Sequence, residues 1–222
     1  MPSVKIPKKS TATDMTPFVD IAFLILSFFI MATKFKPPEP VEITTPGSVL
    51  SQKLPENNAV LISIDSSNKV YFSVLSDKDP SKFDAIIQGI NTTQNLGLTQ
   101  AEMANFKKTF LVGVPFGGLK QLLQTEASEQ IKLKQPGIPV LDTLNNQLVW
   151  WIQQAKAAFA GEKLNYLIKG DGKSLYPTFE AVIAALKKNE EFKYNLVTAL
   201  DDIPAGTELY KREKAGEKDL KK

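Results

Sequence analysis

One carboxylate, Asp20, interrupts the apolar run Pro17-Phe-Val-Asp-Ile-Ala-Phe-Leu-Ile-Leu-Ser-Phe-Phe-Ile-Met-Ala-Thr33. An acid in hydrocarbon costs roughly 2.5–3.5 kcal/mol at mid-depth on insertion scales, and acids found there mark ion or proton pathways. The 222 residues include no cysteine and no histidine. That excludes thiolate nucleophiles, disulfide frameworks, Cys/His zinc sites and histidine triads. Proton chemistry is left to carboxylates, lysines and tyrosines. With 23% charged and 43% hydrophobic residues the remainder is ordinary for a globular protein, and a net charge of +3 with no basic stripe gives no reason to expect nucleic acid as a partner.

A helix must carry Asp20. At 100° per residue, Thr16, Asp20, Ser27 and Met31 fall within a narrow arc, while Ile21, Leu24, Leu26 and Phe28 spread over the rest of the circumference. Lipid cannot satisfy a polar stripe, so the stripe calls for a protein partner or a water-lined cavity. A plainer reading makes Thr16 an N-cap and Pro17 the first helical residue, which places Asp20 in the first turn, where the helix dipole favours an anion.

A helix over residues 15–36 would run about 31–33 Å, close to the roughly 30 Å hydrocarbon core. Lys34 and Lys36 would snorkel at its far end. Before it, in the 1–14 tail, stand Lys5, Lys8 and Lys9 against Asp14; Glu39 and Glu42 follow. The excess of lysine before the span predicts a cytoplasmic N-terminus and an external remainder. The competing signal-peptide reading is opposed by the acid in the would-be apolar core and by the lack of a small-x-small site near Ile30–Lys34.

The run Asp14-Met-Thr-Pro-Phe-Val-Asp20 resembles the ExbD/TolR family of inner-membrane energising proteins, whose members carry a Thr-Pro-[Phe/Leu]-[Val/Ile]-Asp box at the start of their single transmembrane helix. Thr16, Pro17, Phe18, Val19 and Asp20 match it position by position. Leu164-Asn-Tyr-Leu-Ile-Lys-Gly-Asp171, Tyr176-Pro-Thr-Phe-Glu-Ala-Val-Ile-Ala-Ala-Leu-Lys187 and Tyr194-Asn-Leu-Val-Thr198 resemble, in order, the family's strand-helix-strand ending. The resemblance implies that Asp20 is the proton-carrying residue and that no enzymatic activity and no cofactor beyond the coupling proton are needed. It implies as partners an ExbB/TolQ-like multi-span ring, a second copy of the chain and a TonB-like or TolA-like periplasmic protein, with peptidoglycan as a further candidate. It also implies a single-pass inner-membrane protein with a periplasmic C-terminal domain. An ExbD role in TonB-dependent transport and a TolR role in envelope maintenance share these residues. A membrane-anchored binding or structural domain with Asp20 incidental is the reading from another class.

Residues 37–58 carry Pro37, Pro38, Pro40, Pro46 and Pro55 and read as an extended linker. Val41-Glu-Ile-Thr-Thr-Pro46 is only loosely similar to the family's linker stretch. The domain over 59–210 is expected to be α+β, with helices on one side of a small mixed sheet. Ala59–Asp65 and Val70–Val74 predict a hairpin, then Thr143–Ala160 a helix, Leu164–Lys169 a strand, Pro177–Lys188 a helix and Tyr194–Ala199 a strand. Residues of about 76–142 have no counterpart in the family pattern. Helices over Thr99–Phe110 and Leu119–Leu133 make them a largely helical insertion, expected to decorate the surface. Residues 211–222 read as a solvated charged tail.

Some motifs tempt without deciding. Gly170-Asp-Gly-Lys-Ser174 lacks the earlier glycine of a phosphate loop, since position 167 is Leu167, and reads as a turn. Asp201-Asp202 and Glu190-Glu191 read as solvated element ends. Of Trp150 and Trp151, one is expected in the core and one near the surface.

Overall fold

The computed structural model describes residues 15–32, 41–49, 54–55, 57–76, 79–130, 132–201, 207–208 and 210. The expected cytoplasmic tail 1–14, residues 33–36 of the expected span and the tail 211–222 lie outside the described residues. The chain divides into two compact units, Met1–Pro38 and Glu39–Lys222.

In the first unit one helix, α1, spans Thr16–Ala32. Its 17 residues include none that is buried. Phe18, Phe23, Phe28 and Ile30 point outward all round it, each more than 60% exposed. A helix apolar round most of its circumference, with Thr16, Asp20 and Ser27 on one side, suits lipid or partner helices rather than a water-facing surface. At 1.5 Å per residue α1 is about 25 Å long. Among the described residues no helix is long and apolar enough to cross a membrane.

The second unit is α+β with a small mixed sheet. A short strand, β1 (Gly47–Ser48), precedes the hairpin β2 (Ala59–Ile64) and β3 (Val70–Leu75). Four helices follow: α2 (Ser81–Gln94), α3 (Gln100–Phe106), α4 (Phe116–Gln124) and α5 (Ala127–Gln130). The chain continues through α6 (Leu148–Ala158), β4 (Asn165–Gly170), α7 (Tyr176–Lys188), β5 (Asn195–Val197) and β6 (Ala199–Leu200). The main sheet has the order β3-β2-β4-β5, antiparallel between β2 and β3 and parallel elsewhere. The parallel pairs are those that need crossover helices, and α6 and α7 lie in those crossovers.

Alternation decides the faces. Val60, Ile62, Ile64, Val70, Phe72, Tyr166 and Ile168 lie in one core cluster with Ile86, Ile90, Trp151, Ile152, Val182 and Leu186 of the helices. Ser63, Tyr71 and Leu167, on the other parity, are also buried but lie outside that cluster. Along the outer edge of β3 runs extended chain: Ser73 Oγ donates to the Phe110 carbonyl at 2.8 Å, and Phe72 and Val112 exchange backbone bonds of 2.7 and 2.8 Å.

The 76–142 stretch is helical, but it is not surface decoration. Ile86, Ile87, Ile90, Phe106, Leu119 and Leu123 belong to the main core, and Trp151 packs against Phe72, Phe106 and Phe116 with ring centroids at 5.1, 5.9 and 5.9 Å. Helix α2 has no sequence-based counterpart, because its apolar positions are sparse and two threonines lower its propensity. The expected Thr99–Phe110 helix is shorter. Thr99 is its N-cap, in a capping box with Glu102, and the chain leaves the helix after Phe106. The expected Leu119–Leu133 helix begins earlier, at Phe116, and breaks at Thr125, whose backbone is extended. The expected Thr143 start moves to Leu148, since the Asp142 carboxylate and the Asn146 side-chain amide oxygen accept from the Leu144 and Leu148 amides. Leu144, placed by periodicity on the buried face, is 97% exposed.

Candidate functional site

The amides of Phe18 and Val19 both donate to the Met15 carbonyl at 3.1 Å. Met15 thus occupies the position expected of Thr16, and Thr16 is the first helical residue. Pro17 sits in the first turn, where a missing N–H costs nothing. Asp20 is the fifth residue, and the first turn of α1 holds no acid. The helix-dipole reading of Asp20 therefore loses its footing, because that effect fades beyond the first turn.

The Asp20 side chain is exposed on α1 and makes no hydrogen bond or ion pair with the described residues. Ser27, also on the Thr16–Asp20–Met31 arc, satisfies itself: its hydroxyl donates to the Leu24 carbonyl at 2.9 Å. Helical geometry over Thr16–Ala32 sets these residues along one side. Chemically the arrangement offers one ionisable oxygen pair on an apolar rod, able to accept and release a proton. Among the described residues no group of His, Cys, Asp or Glu could hold a metal ion.

A second arrangement lies in the globular unit, where the linker docks. Residues 41–46 alternate between half-buried Val41, Ile43 and Thr45 and exposed Glu42, Thr44 and Pro46. The Thr44 amide donates to Asp171 Oδ2 at 2.8 Å, and the Gly172 amide returns a bond to the Thr44 carbonyl at 3.0 Å. Strand β1 then pairs in parallel with β6, with the Ala199 amide on the Pro46 carbonyl and the Asp201 amide on the Ser48 carbonyl, both at 3.0 Å. The Gly170–Ser174 stretch is the expected turn: the Lys173 amide donates to Asp171 Oδ1 at 2.9 Å, and Ser174 closes on the Asp171 carbonyl. Sequence reasoning missed the long-range half of this. A Gly-Asp-Gly run signals a turn, but nothing local signals a partner 127 residues away.

Accepting these amides, from Lys173 and then Thr44, holds the Asp171 carboxyl below the usual carboxylate range. A depressed folded-state value means that the carboxylate's contribution is complete above the unfolded value and is lost as pH falls through the folded one. As pH falls through that lowered value, the protection of the Thr44 amide, measured against its intrinsic exchange rate, is therefore expected to fall. Asp171→Asn should give fast exchange there already at pH 7. An Asp171→Asn chain with unchanged Thr44 protection would refute this role.

The family model for the biopolymer transport protein ExbD/TolR matches residues 7–201. The chain belongs to the ExbD/TolR family. The match takes in the Thr16–Asp20 box, the docked linker, the helical 76–142 stretch and the strand-helix-strand ending of this ExbD/TolR protein. Membership makes the chain, in general terms, a subunit of a Ton/Tol-type motor. Comparison with curated proteins and with solved structures gives no match.

Proposed function

We propose that this chain is the single-span, non-enzymatic subunit of a proton-driven inner-membrane motor of the ExbB–ExbD type, energising TonB-dependent transport, with Asp20 carrying the proton. The observation that carries the reading is a carboxylate without a side-chain partner among the described residues, on a helix otherwise largely apolar, within the family's Thr-Pro-Phe-Val-Asp box. A rod of this kind needs a sheath, which a multi-span ring of ExbB/TolQ type and a second copy of α1 would supply. One charge crossing 100 mV releases about 2.3 kcal/mol, the same size as the cost of holding a charged acid in the bilayer. Neutralising and re-ionising Asp20 can therefore switch the depth or rotation that α1 prefers. Thr16 and Ser27 share its side of the helix and would line the proton's route, with Pro17 fixing the helix start.

In this reading Lys34 and Lys36 snorkel at the far end of the span, the N-terminus is cytoplasmic and the α+β unit is periplasmic, where it meets a TonB-like or TolA-like protein. Tagged full-length chain, extracted in mild detergent, is expected to bring down a multi-span ring subunit. Recovery of the chain alone, under conditions that keep the ring intact, overturns the proposal.

A further inference from the structure

Apolar side chains project at one end of the α+β unit, around the β2–β3 turn. Leu175 and Tyr176, at the entry to α7, are 60% and 70% exposed. The Leu175 amide donates to Asn68 Oδ1 of that turn at 2.6 Å. On the other side of the turn, Ser67 and Lys69 share a cleft of about 390 Å³ with Val41 and with Lys132–Lys134. Leu133, in the middle of that run, is 47% exposed. The docked linker enters at the same end, where the Gly172 amide holds the Thr44 carbonyl at 3.0 Å.

Cations surround these tips. Lys132, Lys134 and Lys173 are exposed and Lys69 is half-buried. Of the acids at this end, Asp65 and Asp171 are buried. Asp65 accepts the Ser67 and Lys69 amides and the Tyr71 hydroxyl, and Asp171 accepts the Lys173 and Thr44 amides. Glu42 is exposed, and Glu129 lies 3.7 Å from Lys132 with both side chains open to water, an arrangement that neutralises little. The charge turned outward is therefore mainly positive. With α1 as the membrane span, the reading on which this inference rests, only residues 37–40 separate the end of the span from Val41. Five links at full extension reach no more than about 18 Å. The chain thus keeps the cleft beside Val41 within that reach of the bilayer surface.

We infer that this end of the unit rests on an anionic lipid surface, with Leu133, Leu175 and Tyr176 entering the headgroup layer and Lys132, Lys134 and Lys173 against the lipid phosphates. Separate apolar and aromatic tips flanked by lysine suit a soft, negatively charged interface. A protein partner calls instead for a continuous, shape-complementary apolar core. The tether makes weak contacts sufficient, because it holds the unit at high effective concentration beside the lipid.

The chain has no cysteine, so single cysteines can carry an environment-sensitive fluorophore. The test places one in turn by Leu133→Cys, Tyr176→Cys, Leu144→Cys and Phe23→Cys in the full-length chain, reconstituted in vesicles of phosphatidylethanolamine and phosphatidylglycerol. Labels at 133 and 176 are expected to show blue-shifted emission and quenching by a lipid-borne quencher. The label at 144 should stay in water, since Leu144 is the more exposed leucine but lies by the far end of α7, where Lys188 Nζ donates to the Thr143 carbonyl. Lys132→Gln with Lys134→Gln should lower the docked-to-undocked ratio read at 176 about tenfold or more, at about fivefold for each lysine near anionic lipid. High salt or vesicles of phosphatidylcholine alone should lower it likewise. The label at 23 separates two failures. Lipid around 23 with water around 133 and 176 overturns this inference alone, and water around 23 overturns the span reading and this inference with it. Equal shielding at 144, equal docking on phosphatidylcholine, or shielding that appears only when the ring subunit is added overturns lipid docking, the last in favour of a protein partner.

Discussion

Asp20→Asn is expected to abolish energised transport while leaving the motor assembled. The substitution keeps the size and most of the hydrogen-bonding capacity of the side chain, and α1 buries nothing of its own around it, so the helix has no reason to change shape. What disappears is titration. An amide cannot give up a proton to become charged, so the difference of roughly 2.5–3.5 kcal/mol between the two protonation states in the bilayer no longer exists. With that difference gone, the membrane potential has no mobile charge to act on. Uptake of a TonB-dependent substrate should fall to the de-energised background, and the variant should co-purify with the ring subunit in normal yield. Asp20→Glu, which still titrates, should restore part of the activity. Full uptake by Asp20→Asn would remove Asp20 from the proton path altogether.

Trp151→Ala should destabilise the globular unit more than any other single truncation in its core. Trp151 is fully buried and touches three aromatic rings contributed by β3, α3 and α4. Large-to-small changes at such sites cost about 3–5 kcal/mol, through lost transfer energy and the cavity left behind. A domain holds only about 5–15 kcal/mol in all. The melting temperature should therefore drop by about 10 °C, at the usual 2–4 °C per kcal/mol for a chain of this size. Trp151→Phe should cost much less. It keeps most of the ring contacts and removes the indole N–H, which has no partner among the described residues. Equal losses for the two variants would mean that the rings do not hold this core.

The parts of the fold legible in the sequence are those with strong local periodicity. The hairpin of β2 and β3 alternates and turns at a polar tetrapeptide, so its register follows from the pattern. Helix α7 carries Val182 and Leu186 inward as its spacing requires, and Trp151 goes inside while Trp150 is 39% exposed. The misreadings lie where side chains compete with the backbone. Asp142 and Asn146 capture amides that helical periodicity assigns to α6, and Thr125 ends α4 with extended backbone. The role of the 76–142 stretch was hidden for another reason. Whether an amphipathic helix seals a core or sits on a surface depends on what lies across from it, and the rings of Phe106 and Phe116 meet Trp151 only after the chain has closed.

For the candidate site, Asp20 and its arc could be read directly, because a lone acid in an apolar run needs no tertiary context to stand out. The hold of Asp171 on Thr44 could not, and neither could the gathering of Lys132–Lys134 and Tyr176 around the β2–β3 turn. Those stretches lie far apart in the sequence and come together only through the fold.

The pairing of β1 with β6 has a mechanical consequence. Any pull passing along the chain from α1 towards the sheet must travel through residues 41–49 before it reaches β2. It meets first the two bonds that tie Thr44 to Asp171 and Gly172, then the two ladder bonds to Ala199 and Asp201. These are few and lie near the surface, whereas β2 is flanked on both sides by six-residue pairings. The attachment would thus yield as a fuse does, paying out slack chain while the sheet behind it stays whole.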